Sequence, residues 1–408
     1  MAQRFDELID RSIPSEESLI RRYHKIFELE GMHDAPGRAA LARTSRTEGA
    51  RVFELAEVGG VRIVACDESS RMTTGTYKDL DACLICAHAL ETGLDALVLS
   101  SAGNLGRAVS RYSAEVGLRV FLFHPKTTLH KLDAASFGRG NTKVVCVDLP
   151  EPEVKSLAKN FARRHGLPHV PDTRLRLAAS ATRAMHLLEI TAEWGPIDCI
   201  AQTVCAAYGP LGIYACFSKL LRHGFIRRSH VPRFLGFQQE ANAPITQSWI
   251  AGSSQLPEPG RGGAARPDTY IEPGLYNTHP ADSYGDFFNL MRRFGCEMAA
   301  VSSQDYARYA PVMLEHFDRS DFRFARCPRS GEIVEKAGLL TGIGILKAID
   351  ERRLVAGESV VYLLTGGSRS AGAGVLTPDA QVDASRSEQA WIESLGESFS
   401  LSAEAVHG

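Results

Sequence analysis

From residue 79 onward the chain alternates two kinds of apolar run, and that alternation limits the fold more than any other feature. Segments 79–93, 106–117, 153–166, 175–194 and 214–224 carry helical spacing. Between them lie short β-branched strings: ALVLSS at 96–101, LRVFLFHP at 118–125, TKVVCVDL at 142–149, IDCIAQTV at 197–204 and RFLGFQQ at 233–239. Strands separated by helix-length crossovers pair in parallel, and continuous apolar strands need helices on both faces. The spacing therefore predicts an α/β fold with mainly parallel sheets. Segment 129–137 is read as a further helix, and helices are expected near 286–293, 304–317 and 332–353. The last strand is ESVVYLL, before TGG.

The flanking segments read differently. RVFELAEV and VRIVACD, joined by Gly59-Gly60, form a hairpin over 51–67. Residues 251–273 are rich in Gly, Pro and Ser and read as a surface loop long enough to act as a flap or an insertion. The tail after Thr377 is polar and is expected to be peripheral. A chain of 408 residues can bury roughly three quarters of its unfolded surface, so it needs neither disulfides nor a metal to fold.

Composition excludes several function classes. Lys and Arg number 46 against 48 Asp and Glu, so no basic excess drives nucleic-acid binding. No apolar run is long enough to span a bilayer, and the first thirty residues lack an apolar signal core. The nine cysteines are odd in number and mostly lie in apolar strings, as expected of buried thiols in a cytoplasmic protein. Cys83 and Cys86 form a C-x-x-C pair, but helical spacing puts both on one face, where they read as core. No His, Cys or carboxylate cluster has metal-ligand spacing.

Ligands of open parallel sheets bind beyond the carboxyl ends of strands. Three sites have that context together with small residues: SSAGNLG after ALVLSS, CAAYGPLG after IDCIAQTV, and TGGSRS after SVVYLL. A fourth feature, TTGTYK, sets Lys78 where a turn enters a helix. Helix N-termini favour anions, so SSAGNLG suits a carboxylate and CAAYGPLG a phosphate. Neither matches a G-x-G-x-x-G or a G-x-x-x-x-G-K-[ST] loop, which leaves NAD and ATP unsupported. Each loop taken alone reads as a tight turn, and Lys78 alone as a surface charge. The helix that follows Lys78 disfavours a second positive charge there and so favours the neutral amine that a Schiff-base lysine requires.

Together, TGTYKDLDA and SSAGNLGRA, with the later loops in the same order, resemble the fold-type-II pyridoxal-phosphate enzymes of the tryptophan synthase β-like superfamily. The resemblance covers roughly residues 52–374. It implies two three-layer αβα domains with the cofactor in the cleft between them. The expected organisation is an N-terminal helical extension over 1–50, a larger cofactor-binding domain over 51–85 and 173–376, a smaller domain over 86–172, and a tail over 377–408. It also implies that Lys78 holds the cofactor covalently and acts catalytically, that Asn104 bonds its 3-hydroxyl, and that Ala206, Ala207, Tyr208 and Gly209 hold its phosphate. Thr76 and the run Ser101, Ala102, Gly103, Asn104 and Leu105 would bind substrate, the run through its α-carboxylate. Arg107 and Arg369 are candidates for an anionic group on the substrate side chain or the incoming nucleophile.

Ala206, Ala207 and Pro210 stand where the family is richer in glycine, and Pro210 lacks a backbone donor, so fewer amides are expected at the phosphate. Thr365 would face the pyridine nitrogen. A neutral hydroxyl there makes the ring a weaker electron sink than a carboxylate would, which favours chemistry in which charge leaves quickly through a β or γ leaving group. K-D-L-D-A after the lysine, SAGN, and FQQEANAPITQSW with Asn242, Pro244 and Trp249 resemble the threonine synthase and cysteate synthase branch. That resemblance implies β-replacement on O-phospho-L-serine, with sulfite as nucleophile, by a cytoplasmic homodimer. Threonine synthase-like phospholyase chemistry and another nucleophile are the alternatives. A non-catalytic sensor of amino acids is the rival from another class.

Overall fold

The computed structural model describes residues 4–401 except 133–136, 138–139, 150, 171–172, 258–268, 276, 278 and 369–375. Arg369 and residues 258–268 of the loop over 251–273 lie outside the described residues. The chain forms two compact units. The larger comprises Met1–Ala35, Arg46–Leu80 and Arg176–Ala371; the smaller comprises Pro36–Ser45, Asp81–Leu175 and Gly372–Gly408.

The larger unit is built on a six-stranded sheet. Strands β1 (Arg51–Val58) and β2 (Val61–Asp67) form the expected hairpin, the antiparallel pair of this sheet. Gly59 and Gly60 adopt φ of 58° and 77°, the left-handed geometry that a two-residue hairpin turn demands. Numbering strands along the whole chain, β3 to β6 belong to the smaller unit. The larger sheet continues with β7 (Cys199–Thr203), β8 (Arg233–Gln239), β9 (Glu297–Val301) and β10 (Ser359–Leu364), in spatial order β1-β2-β10-β7-β8-β9. All pairs from β2 to β9 are parallel.

Among the helices, α1 (Leu19–Arg22) and α2 (Ile26–Leu29) lie before the sheet, and α3 (Arg38–Thr44) falls in the smaller unit. Helices α4 (Lys78–Glu91) and α7 (Thr173–Trp194) carry the chain from one unit to the other. The larger unit also holds α8 (Tyr208–Arg222), α9 (Pro244–Ile250), α10 (Ala281–Met291), α11 (Ser303–Asp318) and α12 (Ala337–Asp350). Helix α12 packs on β7, β8, β9 and β10. Its Leu339, Leu340 and Ile343 join Phe237, Val360 and Tyr362 in one core. It starts later than expected, because the chain before it pairs Arg326 with Ile333 as an isolated bridge.

The smaller unit contains β3 (Ala96–Ser100), β4 (Arg119–Pro125), β5 (Thr142–Val147), β6 (His169–Val170) and β11 (Ala380–Val382), with α5 (Asn104–Val116), α6 (Glu151–Arg164) and α13 (Glu388–Ser398). Its spatial strand order is β11-β5-β4-β3-β6, all parallel. Two expectations fail here. Instead of a peripheral tail, the C-terminal segment adds β11 to β5 and buries Val382, Ile392 and Leu395 against Phe161 and Val145. Hydrophobic burial outweighs the polar average of the segment. The N-terminal extension is also divided, since 36–45 joins the smaller unit. The helix expected over 129–137 is a 3₁₀ turn over Lys126–Lys131 where it is described.

All nine cysteines are free thiols, and Cys83 and Cys86 are fully buried in α4. Burial pushes the Cys86 thiol well up, as befits a core residue. Among the described residues no cluster could hold a metal ion, and no helix is long and apolar enough to cross a membrane.

Candidate active site

The lysine loop is shaped by two carboxylates. Asp67, at the end of β2, accepts the N–H groups of Ser69 and Ser70, both at 3.0 Å, and turns the chain off the sheet. Asp79 accepts the Thr74 N–H at 2.7 Å and the Thr74 hydroxyl. The strand-like edge of this loop then meets the segment after β10. Thr76 bridges Gly366, and the Tyr77 N–H donates to the Thr365 carbonyl at 3.4 Å. Thr365 is itself buried.

Lys78 is the first residue of α4 and is half-buried. Its Nζ donates to the Tyr77 hydroxyl at 2.8 Å and stands 4.1 Å from the centre of that ring. Thr76 is also buried, and its hydroxyl accepts the Lys78 N–H at 3.4 Å.

The loop after β7 begins where the Val204 N–H donates to Phe237 O at 2.7 Å. Ala207 then adopts φ 58° and ψ −1°, the left-handed conformation that a residue with a Cβ holds at a cost of about 1–2 kcal/mol. It is the N-cap of α8, and its carbonyl accepts the Leu211 N–H at 3.0 Å. The N–H groups of the first turn have no partner within the helix. Pro210 takes one of those positions and offers no donor, in line with the shortfall read from the sequence. The loop is held from outside: Ser283 on α10 donates to Ala206 O at 2.5 Å, and the Arg176 guanidinium lies 4.0 Å over the Tyr208 ring.

Behind this loop lies a charged cluster. Arg183, on α7, is 1% exposed. It grips Glu68 with two parallel bonds of 2.7 and 2.6 Å, and its Nη2 also donates to Gln202 Oε1 at 2.9 Å. Its guanidinium lies 4.4 Å over the Tyr77 ring. Burial works against the charged form, but the Glu68 carboxylate outweighs it and keeps Arg183 protonated. Nη1 has no partner. A buried donor left without an acceptor costs about 1–3 kcal/mol, so such an atom calls for a reason.

Gly209 shows what surrounds it. A Cβ there would lie 2.8 Å from Arg183 Nη1, 3.1 Å from Gln202 Nε2 and 3.3 Å from the Tyr77 hydroxyl. Only glycine admits the side chains this close to α8. Lys78, Thr365, the loop over 206–209 and this cluster thus come together within the larger unit.

Arg183, Glu68, Gln202 and Tyr77 escaped the motif reading. The available signal was an arginine in AASATRAMHLL, a charged residue in an otherwise small and apolar helical run.

In the smaller unit, SSAGNLG runs from the end of β3 into α5. The Ser101 N–H donates to Phe123 O at 3.1 Å. Ser101 Oγ accepts the N–H groups of Gly103 at 3.3 Å and Gly106 at 3.0 Å. The hydroxyl and the Gly103 amide thus help to shape the loop, and the hydroxyl keeps its own proton to donate. The Gly103 carbonyl accepts the Arg107 N–H at 3.2 Å, which puts Arg107 in the first turn of α5 with Asn104 and Leu105. Ala102 is half-buried between Ser101 and Gly103.

Comparison with known proteins follows the same lines. The family described as "Pyridoxal-phosphate dependent enzyme" matches residues 43–317. A cysteate synthase of Methanocorpusculum labreanum is 22% identical over 72% of this chain and 69% of its own length. A threonine synthase of Mycobacterium tuberculosis is 23% identical over 76% of this chain and 81% of its own. Among solved structures, diaminopropionate ammonia lyase from Escherichia coli has a TM-score of 0.63 at 16% identity, covering 88% of this chain and 91% of that one.

Proposed function

The chain belongs to the pyridoxal-phosphate-dependent enzyme family, and from that premise we propose that it catalyses β-replacement on a small amino acid, O-phospho-L-serine, with sulfite giving L-cysteate and phosphate. The observation that carries this reading is the lysine amine beside Tyr77, set in one unit with a helix N-terminus and a buried cationic donor. A cofactor with an aldehyde at one end and a dianion at the other fits those groups. When bound, it supplies an electron-withdrawing ring that eases loss of the substrate Cα proton.

Lys78 would hold the cofactor, and its amine, once released, would take the Cα proton and later return it. The Tyr77 hydroxyl, 2.8 Å away, orients that amine. Thr365 would stand at the ring nitrogen and Asn104 at the 3-hydroxyl. Tyr208 and Gly209 would offer first-turn amides of α8 to the phosphate, after Ala206 and Ala207 set the turn. Ala102 and Leu105 would flank the substrate carboxylate. Arg107 would bind the leaving phosphate and the incoming sulfite through its planar fork. In the net reaction the Cβ–O bond breaks, a Cβ–S bond forms, and one proton leaves and rejoins Cα. The enzyme would act as a homodimer in the cytoplasm, which gel filtration and fractionation test.

The purified protein should be yellow. Borohydride should remove the colour and fix the cofactor on the peptide containing Lys78. Lys78→Ala should abolish phosphate release from O-phospho-L-serine. Cysteate appearing only when sulfite is present supports replacement. Phosphate release from a phosphorylated homoserine with no sulfonated product would instead support a threonine synthase-like reaction, the reading favoured by the match to the mycobacterial enzyme. Cofactor uptake with no turnover of any amino acid would mark a sensor.

A further inference from the structure

We propose that Arg183 is a phosphate ligand, its Nη1 donating from inside the larger unit to the anion seated at the N-terminus of α8. The proposal deepens the cofactor reading above and rests on it. Three observations converge. First, the loop is short of a donor: Pro210 removes an amide from the first turn of α8.

Second, Arg183 Nη1 is buried without a partner among the described residues and lies 2.8 Å from where a Cβ of Gly209 would sit. Cα–Cβ bonds tilt toward the helix N-terminus, so the atom faces that end of α8. Third, the rest of the guanidinium is committed. Nε and Nη2 bind Glu68, Nη2 also binds Gln202, and the Tyr77 ring covers one face. Held this way, the plane cannot turn Nη1 toward another acceptor. The helix terminus and the guanidinium both favour an anion with free oxygens, and a phosphate monoester supplies them.

The arrangement also links the two ends of the site. Tyr77 carries the guanidinium on its ring and the Lys78 amine on its hydroxyl. The side chain that stacks on the phosphate ligand therefore orients the amine.

The test compares pyridoxal phosphate with pyridoxal, which lacks the phosphate, by absorbance titration of the full-length protein stripped of cofactor. In a Glu68→Gln/Arg183→Gln variant, which leaves no unpaired buried charge, the affinity ratio of the two compounds should fall about tenfold or more, with pyridoxal affinity held within about twofold. Arg183→Lys, which keeps a cation, should give a smaller fall in the same ratio and serves if the double variant does not fold. Inorganic phosphate should strengthen pyridoxal binding to the wild type more than to either variant. An unchanged ratio, or an equal loss for both compounds, would overturn the proposal while leaving the cofactor reading intact. A wild-type chain that takes up neither compound would overturn both.

Discussion

Helix α7 carries one member of each of two buried arginine–carboxylate pairs, and they are finished differently. Arg22 meets Glu189 through bonds of 2.8 and 2.7 Å, and its Nη1 donates to Ile13 O at 2.5 Å. Tyr23 adds a further donor to the same carboxylate. Every nitrogen of that guanidinium is used, and the pair ties the N-terminal segment to α7. Arg183 makes the same two-pronged contact with Glu68 yet leaves Nη1 open beside α8. A closed pair fastens structure, whereas an open one holds a donor ready for something outside the chain. Since buried ion pairs add little net stability over apolar replacements, the open pair is better explained by what it binds.

The largest effects should come from cutting either pair on one side. Arg22→Met or Arg183→Met strands a buried carboxylate, and each should lower unfolding stability by about 3–5 kcal/mol in denaturant titrations. The comparison predicts that only the second also changes discrimination between pyridoxal phosphate and pyridoxal. If Arg22→Met shifted that discrimination, the contrast between the pairs would fail.

Acid should strain the closed pair next. His186 bonds the Tyr23 hydroxyl, and burial first of all, opposed by the Glu189 carboxylate and aided by the Arg22 charge, pushes its pKa down to about 4. The unfolded chain therefore takes up that proton at a higher pH than the folded one, and stability falls as pH drops from about 6.5 to about 4, by up to about 3 kcal/mol. Burial works to raise the Glu189 carboxyl, but its bonds from Arg22 and Tyr23 prevail and hold it low. Its contribution disappears in the same direction at lower pH. Melting temperatures measured across this range should slope upward with pH, and His186→Gln should flatten the slope.

The smallest effect should be at Ser283. Ser283→Ala removes one bond to Ala206 O and should cost about 1 kcal/mol. It should weaken cofactor retention with little change in the acid slope, which a melt with and without added cofactor would register.

Much of this architecture was legible because it is local. Gly59-Gly60 set the hairpin, and the change from β-branched runs to helical spacing marked β3, α5, β4 and β7. Small residues after three strands pointed to the loops around Asn104, Gly209 and Thr365. What escaped notice is long-range. Arg183 meets a carboxylate 115 positions earlier in the chain, and no spacing rule connects Glu68 to it. The contacts that Ser101 and Thr76 make within their loops were not legible for a related reason: a hydroxyl in a loop can serve a neighbouring amide as readily as a ligand. The tail was misread because Val382, Ile392 and Leu395 are apolar points in a polar stretch, and a sheet edge that needs covering cannot be seen one segment at a time.

The pairing of β11 with β5 also dictates an order of assembly. On the ribosome, residues 81–175 emerge with one margin of their sheet uncovered, and more than 200 further residues must be synthesised before Ala380–Val382 can reach it. Contacts this far apart in sequence form slowly, and an exposed strand margin invites pairing with other chains in the meantime. A stop codon shortly before residue 380 should therefore yield an aggregating product even though every residue of the proposed site has been translated.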